Sequence, residues 1–166
     1  MDIVTLPGGR RVGIRPIRAD DGPGLRDAYD RLSPQAKYRR FLTIKPHLTE
    51  SDVRYLTSVD GTDHVALVAT PARDPDRIIA VARFVRLQDD LRAAELAVVV
   101  GDPYQGEGLG TELLGRLAER ALTRGIGRFH ATMLADNAPI HRMLRHGSHR
   151  ERHLGAIDEV EVELAA

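Results

Sequence analysis

Cysteine and tryptophan are both absent from this chain of 166 residues, and aromatic residues make up only 4% of it. Without cysteine there is no disulfide, no thiolate zinc site and no cysteine nucleophile. Charge of neither sign is in excess, with Lys+Arg and Asp+Glu at 24 each. A general nucleic-acid binder needs a basic footprint and stacking rings, and in bulk this sequence has neither. The arginines are unevenly placed, so a local basic patch stays open. No apolar run approaches the roughly 20 residues of a membrane span. The segment Met1-Asp-Ile-Val-Thr-Leu-Pro7 lacks the charged start and long apolar stretch of a signal peptide. The expectation is a single domain over residues 1–166, cytoplasmic, with no membrane or nucleic-acid partner.

What is present is concentrated in Val98-Val-Val-Gly-Asp-Pro-Tyr-Gln-Gly-Glu-Gly-Leu-Gly-Thr-Glu-Leu-Leu114. An apolar run ends in a Gly/Asp/Pro turn, glycines follow at Gly106, Gly108 and Gly110, and an amphipathic stretch begins. Strand, bare-backbone loop and helix N-terminus in succession form an anion site, above all for phosphate. The spacing excludes two familiar ligands. The sixth position from Gly106 is Thr111 and from Gly108 is Leu113, so the dinucleotide pattern G-x-G-x-x-G fails. No Gly-Lys pair occurs, so a Walker loop fails as well.

The rest of the chain reads as alternating elements. Arg11 to Pro16 has the period of two of a short strand. Asp20-Asp21-Gly-Pro starts a helix to about Leu32. Ser33-Pro34 caps a second helix to about Phe41, with Pro at its favoured first position. Thr49-Glu-Ser-Asp52 is a capping box for a third helix, to about Thr57. His64 to Thr70 and Arg77 to Leu87 flank a turn and read as a hairpin, and Leu91 to Val100 as a long strand. Gly108 to Arg124 places Leu109, Leu113, Leu114, Leu117, Ala118 and Ala121 on one helical stripe. Arg128 to Leu134 is a further strand, Asn137 caps a short helix to His146, and Arg150 to Leu164 holds one or two strands. This order predicts a mixed α/β sheet.

Gln105, Gly108 and Gly110 fit Q-x-x-G-x-G, which resembles the pyrophosphate-binding motif of the GNAT superfamily of acyl-CoA-dependent N-acyltransferases. Ala94-Glu-Leu-Ala-Val-Val-Val100 is similar to the family's fourth strand, and Leu134-Ala-Asp-Asn-Ala-Pro-Ile-His-Arg-Met-Leu-Arg-His-Gly147 to its later Asn-opened helix. Arg15-Pro-Ile-Arg18, Leu32-Ser33 with Tyr38-Arg-Arg-Phe41, and Val59-Asp60 before His64-Val-Ala-Leu67 resemble a bacterial subgroup that includes Pat-type lysine acetyltransferases. The resemblance covers roughly Arg10 to Gly147. It implies a mostly antiparallel sheet flanked by helices, with a splayed strand pair at the cofactor site. It implies acetyl-CoA as co-substrate and a primary amine, protein lysine or small molecule, as acceptor. A homodimer is the common default for such domains.

Site roles follow with their alternatives. Backbone amides of Gln105, Gly106, Glu107, Gly108, Leu109, Gly110 and Thr111 hold the pyrophosphate, glycine permitting close approach. The resemblance implies that Val98, Val99 and Val100 pair with the pantetheine arm, while the same valines also read as sheet core. Glu95 shares a strand face with Ala97 and Val99 by the period of two. It is either the general base, or a water-positioning group, or a solvated strand residue. Asn137 is a helix cap and, by resemblance, a pantetheine contact. The family's usual tyrosine acid falls at Leu144 here, so proton transfer from water, or direct departure of the thiolate, is the expectation. Glu107 stands where the family often has a basic residue, and a carboxylate facing phosphate would weaken binding. Tyr104 touches the cofactor or packs on the helix. His141, His146, His149 and His153 read as solvated side chains, with no metal expected, because carboxylate partners are not evident. The leading function is an acyl-CoA-dependent N-acyltransferase. The alternatives are a catalytically silent CoA-binding module and an unrelated phosphate-binding domain.

Overall fold

A computed structural model describes residues 1–43, 45–134 and 149–164. Its strands are β1 (Asp2–Thr5), β2 (Arg11–Pro16), β3 (His64–Pro71), β4 (Ala80–Arg86), β5 (Ala93–Val100), β6 (Arg128–Leu134), β7 (His149–Leu154) and β8 (Ile157–Glu163). Its helices are α1 (Gly22–Asp30), α2 (Pro34–Phe41), α3 (Glu50–Thr57) and α4 (Leu109–Leu122). All eight strands form one sheet in the order β1-β2-β3-β4-β5-β6-β8-β7. Every neighbouring pair is antiparallel except β5 and β6, which run parallel with α4 as the crossover between them.

The caps explain the helix starts. The Ser33 hydroxyl accepts from the Ala36 amide at the head of α2. Thr49 and Asp52 exchange reciprocal bonds at the head of α3, the capping box expected from the sequence. Two differences from the sequence reading stand out. β1 lies in a stretch read only for its lack of a targeting signal; it is an edge strand with mostly exposed residues, so it carries no alternation to read. β4 begins at Ala80 instead of Arg77, because Arg77 is still in the turn, its amide donating to the Asp74 carbonyl.

The sheet has a core on each face. Leu109, Leu113, Leu117 and Ala121 of α4 repeat every four residues and pack with Phe84, Leu96 and Phe129 on one face. α1, α2 and α3 cover the other, where Leu25, Tyr29, Leu32, Leu56, Val68, Ile78 and Val81 meet. β5 serves both: Leu96, Val98 and Val100 lean on the α4 core and Val99 on the other. A buried Arg15–Asp21 pair, bidentate at 2.7 and 2.8 Å, ties β2 to the turn that opens α1.

Candidate active site

Between β5 and α4 the chain makes one tight turn at Asp102–Tyr104 and then a bend through Gln105, Gly106, Glu107 and Gly108. Gly106 and Gly108 have φ of +77° and +87°. This left-handed region strains any residue with a Cβ, so the two glycines are required by the turn itself. The first turn of α4 has no side-chain cap. Its first helical bond joins the Glu112 amide to the Gly108 carbonyl. The amides of residues 106 to 111 therefore have no acceptor among the described residues. The bend is exposed at Gln105, Gly106 and Gly108. A row of unpaired N–H groups at a helix N-terminus is a site for an anionic group, and it fits the diphosphate of an acyl carrier.

Two side chains of the motif are used locally. The Gln105 carboxamide donates to the Val100 carbonyl at 3.0 Å, so it braces the bend against β5. Glu107 turns to Arg10, whose Nε and Nη2 donate to its two carboxylate oxygens at 2.7 and 3.2 Å. The same guanidinium lies over the Tyr104 ring, 4.9 Å from its centroid. The β1–β2 turn thus supplies the cation that the motif lacks. Tyr104 packs against the α4 core beneath Arg10.

β5 and β6 diverge. Their parallel pairing covers Ala93↔Arg128, Ala94↔Phe129 and Glu95↔His130. From Leu96 to Val100 the β6-facing edge of β5 has no strand partner among the described residues, while β4 pairs with its other edge throughout. This is the splayed pair that the resemblance implies, and it leaves the backbone groups of Val98 and the Val100 amide facing the gap, whereas Val99 turns its own toward β4 and the Val100 carbonyl accepts from Gln105.

A cavity of about 350 Å³ opens at the divergence. It is lined by Glu95, Ala97 and Val98 of β5, by Ala131 to Met133 of β6, and by side chains of α2, α3 and β4. An apolar cavity of about 300 Å³ adjoins it beneath α1, reaching Val99 and Tyr104. Arg40, Phe41, Leu56, Arg83 and Ala97 line both. Glu95 is solvent-accessible at the cavity rim. Partial burial lifts its carboxyl above the usual carboxylate range; nearby His130 opposes the shift and Glu159 adds to it. The lining also holds Arg39 and Arg40 of α2 and Tyr55 of α3, to which the sequence reading gave no site role. The pair Arg39-Arg40 is the signal that was available, two charges inside an otherwise amphipathic helix.

Asn137, Leu144, His141 and His146 lie outside the described residues. His153 lies on β7, where its Nδ1 is 2.7 Å from the Asp158 carboxylate. Among the described residues no group of three or more His, Cys, Asp or Glu side chains could hold a metal ion, and no helix is long and apolar enough to cross a membrane.

This geometry has close counterparts. The chain is 36% identical over 147 residues to the acetyltransferase Pat of Mycolicibacterium smegmatis, a match covering 86% of this chain and 43% of that protein. It thus spans less than half the length of that relative. It is 29% identical over 136 residues to the acetyltransferase PA5475 of Pseudomonas aeruginosa, covering 81% of this chain and 73% of that one. The crystal structure of the GNAT domain of S. lividans PAT superposes with a TM-score of 0.89 at 30% identity, over 98% of this chain and 96% of that one. Residues 26–147 match the acetyltransferase (GNAT) family. An open phosphate-type bend, a sheet split beside it and these likenesses lead to one conclusion: the chain belongs to the GNAT family of acetyltransferases.

Proposed function

We propose that the chain transfers an acetyl group from acetyl-CoA to a primary amine, with Glu95 as general base. The row of unpartnered amides from Gly106 to Thr111 is the observation that carries the donor half of this reading. Bound acetyl-CoA supplies the acetyl thioester. The amides hold its diphosphate and the free edge of β5 aligns its arm, which positions the carbonyl at the divergence of β5 and β6. Glu95, at the rim of the same cavity, accepts a proton from the incoming ammonium directly or through one water. The amine nitrogen then attacks the carbonyl carbon. The C–N bond forms, the C–S bond breaks, the nitrogen sheds its remaining excess proton to water, and the thiolate leaves with a proton from water. The raised carboxyl of Glu95 is a stronger proton acceptor than an ordinary glutamate.

The likeness to Pat supports a lysine side chain as one class of acceptor. Glu107 is one ground for the silent CoA-binding module, and its pairing with Arg10 weakens that ground. The test is thiol release from acetyl-CoA across an amine panel. Glu95→Gln is expected to lower kcat/KM by roughly 10²- to 10⁴-fold, the usual scale of general-base loss, with CoA affinity retained. The wild-type profile of kcat/KM should fall on acidification at a pH above the ordinary glutamate range, and Glu95→Gln should lack that limb. A variant of full activity would remove Glu95 from the mechanism. CoA-dependent stabilisation without turnover on any amine would favour the silent CoA-binding module.

A further inference from the structure

The acceptor cavity is more basic than acyl transfer to an amine requires. Arg39 and Arg40 of α2 and Arg83 of β4 all line it. Arg83 is only 4% exposed. One of its terminal nitrogens donates to the Leu56 carbonyl at 2.9 Å and meets the His64 Nε2 at 3.0 Å. Its other N–H groups donate no hydrogen bond among the described residues. The Arg39 Nε is buried with no hydrogen-bond partner among the described residues. Arg40 is half-buried, its guanidinium carbon 4.5 Å from the Phe41 ring centroid, and among the described residues it has no ion pair. Burial, with the neighbouring Arg40 charge, pushes the Arg83 guanidinium down to about 9, so it still carries its charge at neutral pH.

Among the described residues the two carboxylates of the lining, Asp52 and Glu95, pair with neither Arg39, Arg40 nor Arg83. Asp52 is committed to Lys45 at 2.9 and 3.0 Å and to the Thr49 amide at 2.9 Å. Glu95 answers to His130 and Glu159 across the sheet, with neither Arg40 nor Arg83 among its influences. A guanidinium cannot shed its charge to escape burial as a lysine does, and it presents a planar fork that matches a carboxylate. Uncompensated buried charge is costly, and a bound anion offsets that cost with charge-assisted bonds. Resting on the acyl-transfer reading above, we propose that Arg39, Arg40 and Arg83 form a carboxylate subsite in the acceptor cavity, so that the amine acetylated also bears a carboxylate. The cavity, about 350 Å³, holds the reacting amine toward Glu95 and the carboxylate toward α2. Two sources supply that chemistry, a free amino acid and a lysine flanked by an acidic residue in a peptide.

Matched acceptors test this. L-lysine is compared with L-lysinamide, and a lysine peptide with an aspartate neighbour with its asparagine counterpart. The carboxylate member of the relevant pair is expected to have a kcat/KM higher by about tenfold or more, the scale of one charge-assisted bond. The pair that discriminates identifies the source. In Arg40→Gln and Arg39→Gln the ratio should fall toward one through acceptor KM, with the acetyl-CoA KM held, and Arg40→Lys should restore part of it. Equal rates within both wild-type pairs, or a preference that survives both glutamine variants, overturns the subsite. A second arm needs no turnover: CoA-saturated protein is titrated calorimetrically with N-acetyl-lysine and with its amide. Tighter binding of the carboxylate by about tenfold, lost in Arg40→Gln, supports the subsite, and equal affinity counts against it. Discrimination in binding with no acetylation of any amine would sink the acyl-transfer reading while leaving the subsite standing.

Discussion

Gly108 carries more of the site than any other single residue of the bend. Its φ of +87° favours glycine, and a Cβ there would sit 3.4 Å from the Pro7 ring. Gly108→Ala should therefore cost about 1–2 kcal/mol of stability from the left-handed backbone alone and weaken CoA binding by misaligning the amides. Thermal melts and calorimetry read the two effects separately. Asp21 is a different kind of single residue. Burial opposes its charge, but Arg15 and the Arg18 amide outweigh burial and hold its carboxyl below the usual range. Its contribution is present above the ordinary aspartate value and is lost as pH falls through the depressed one. Asp21→Asn should destabilise the fold by roughly 3 kcal/mol, because it leaves Arg15 buried and unpaired. The difference from wild type should shrink on acidification in denaturant titrations. At this scale the sequence was partly legible. Glu95 could be placed on its face from the alternation of β5 alone. The Glu107–Arg10 pair spans 97 positions, and no local pattern announces a partner that distant.

At the level of elements, the bend and the β1–β2 turn act together. The Arg10–Glu107 pair is solvent-exposed, so it adds little to stability. Its larger effect is on charge. Glu107→Ala removes a carboxylate from a helix N-terminus and releases Arg10 beside it. CoA should bind tighter by roughly two- to fivefold, the range of helix-terminus charge effects, with a small loss in melting temperature. An unchanged dissociation constant would mean that the phosphates lie outside the reach of both groups. Helix positions were the most readable elements, since capping residues and the four-residue stripe of α4 are local signals. β1 was unreadable for the opposite reason: an edge strand held by backbone bonds to β2 needs no apolar pattern of its own.

Across the whole molecule, the one parallel junction is also the shortest in register. Three residue pairs join β5 to β6, against seven between β4 and β5 and seven between β6 and β8. The sheet is two well-knit halves meeting at a narrow seam. A ligand lying along the free edge of β5 would bridge them. CoA at a hundredfold excess over its dissociation constant should stabilise the fold by about 2.7 kcal/mol. Amide exchange should slow most in the second half of β5 and at the start of α4, with β1 and β2 little changed. Protection spread evenly over the sheet would argue against binding at the seam.

The alternation along β5 has an evolutionary corollary. Leu96, Val98 and Val100 are anchored in the α4 packing, and Glu95, Ala97 and Val99 look into the cavities on the opposite face. A lineage can therefore rewrite what it modifies by changing one reading frame of a single strand and the helices above it, without disturbing the grip on the carrier. Directed libraries restricted to Ala97 and Val99 should alter acceptor choice far more than carrier affinity, whereas the same diversity at Leu96, Val98 and Val100 should loosen the fold first.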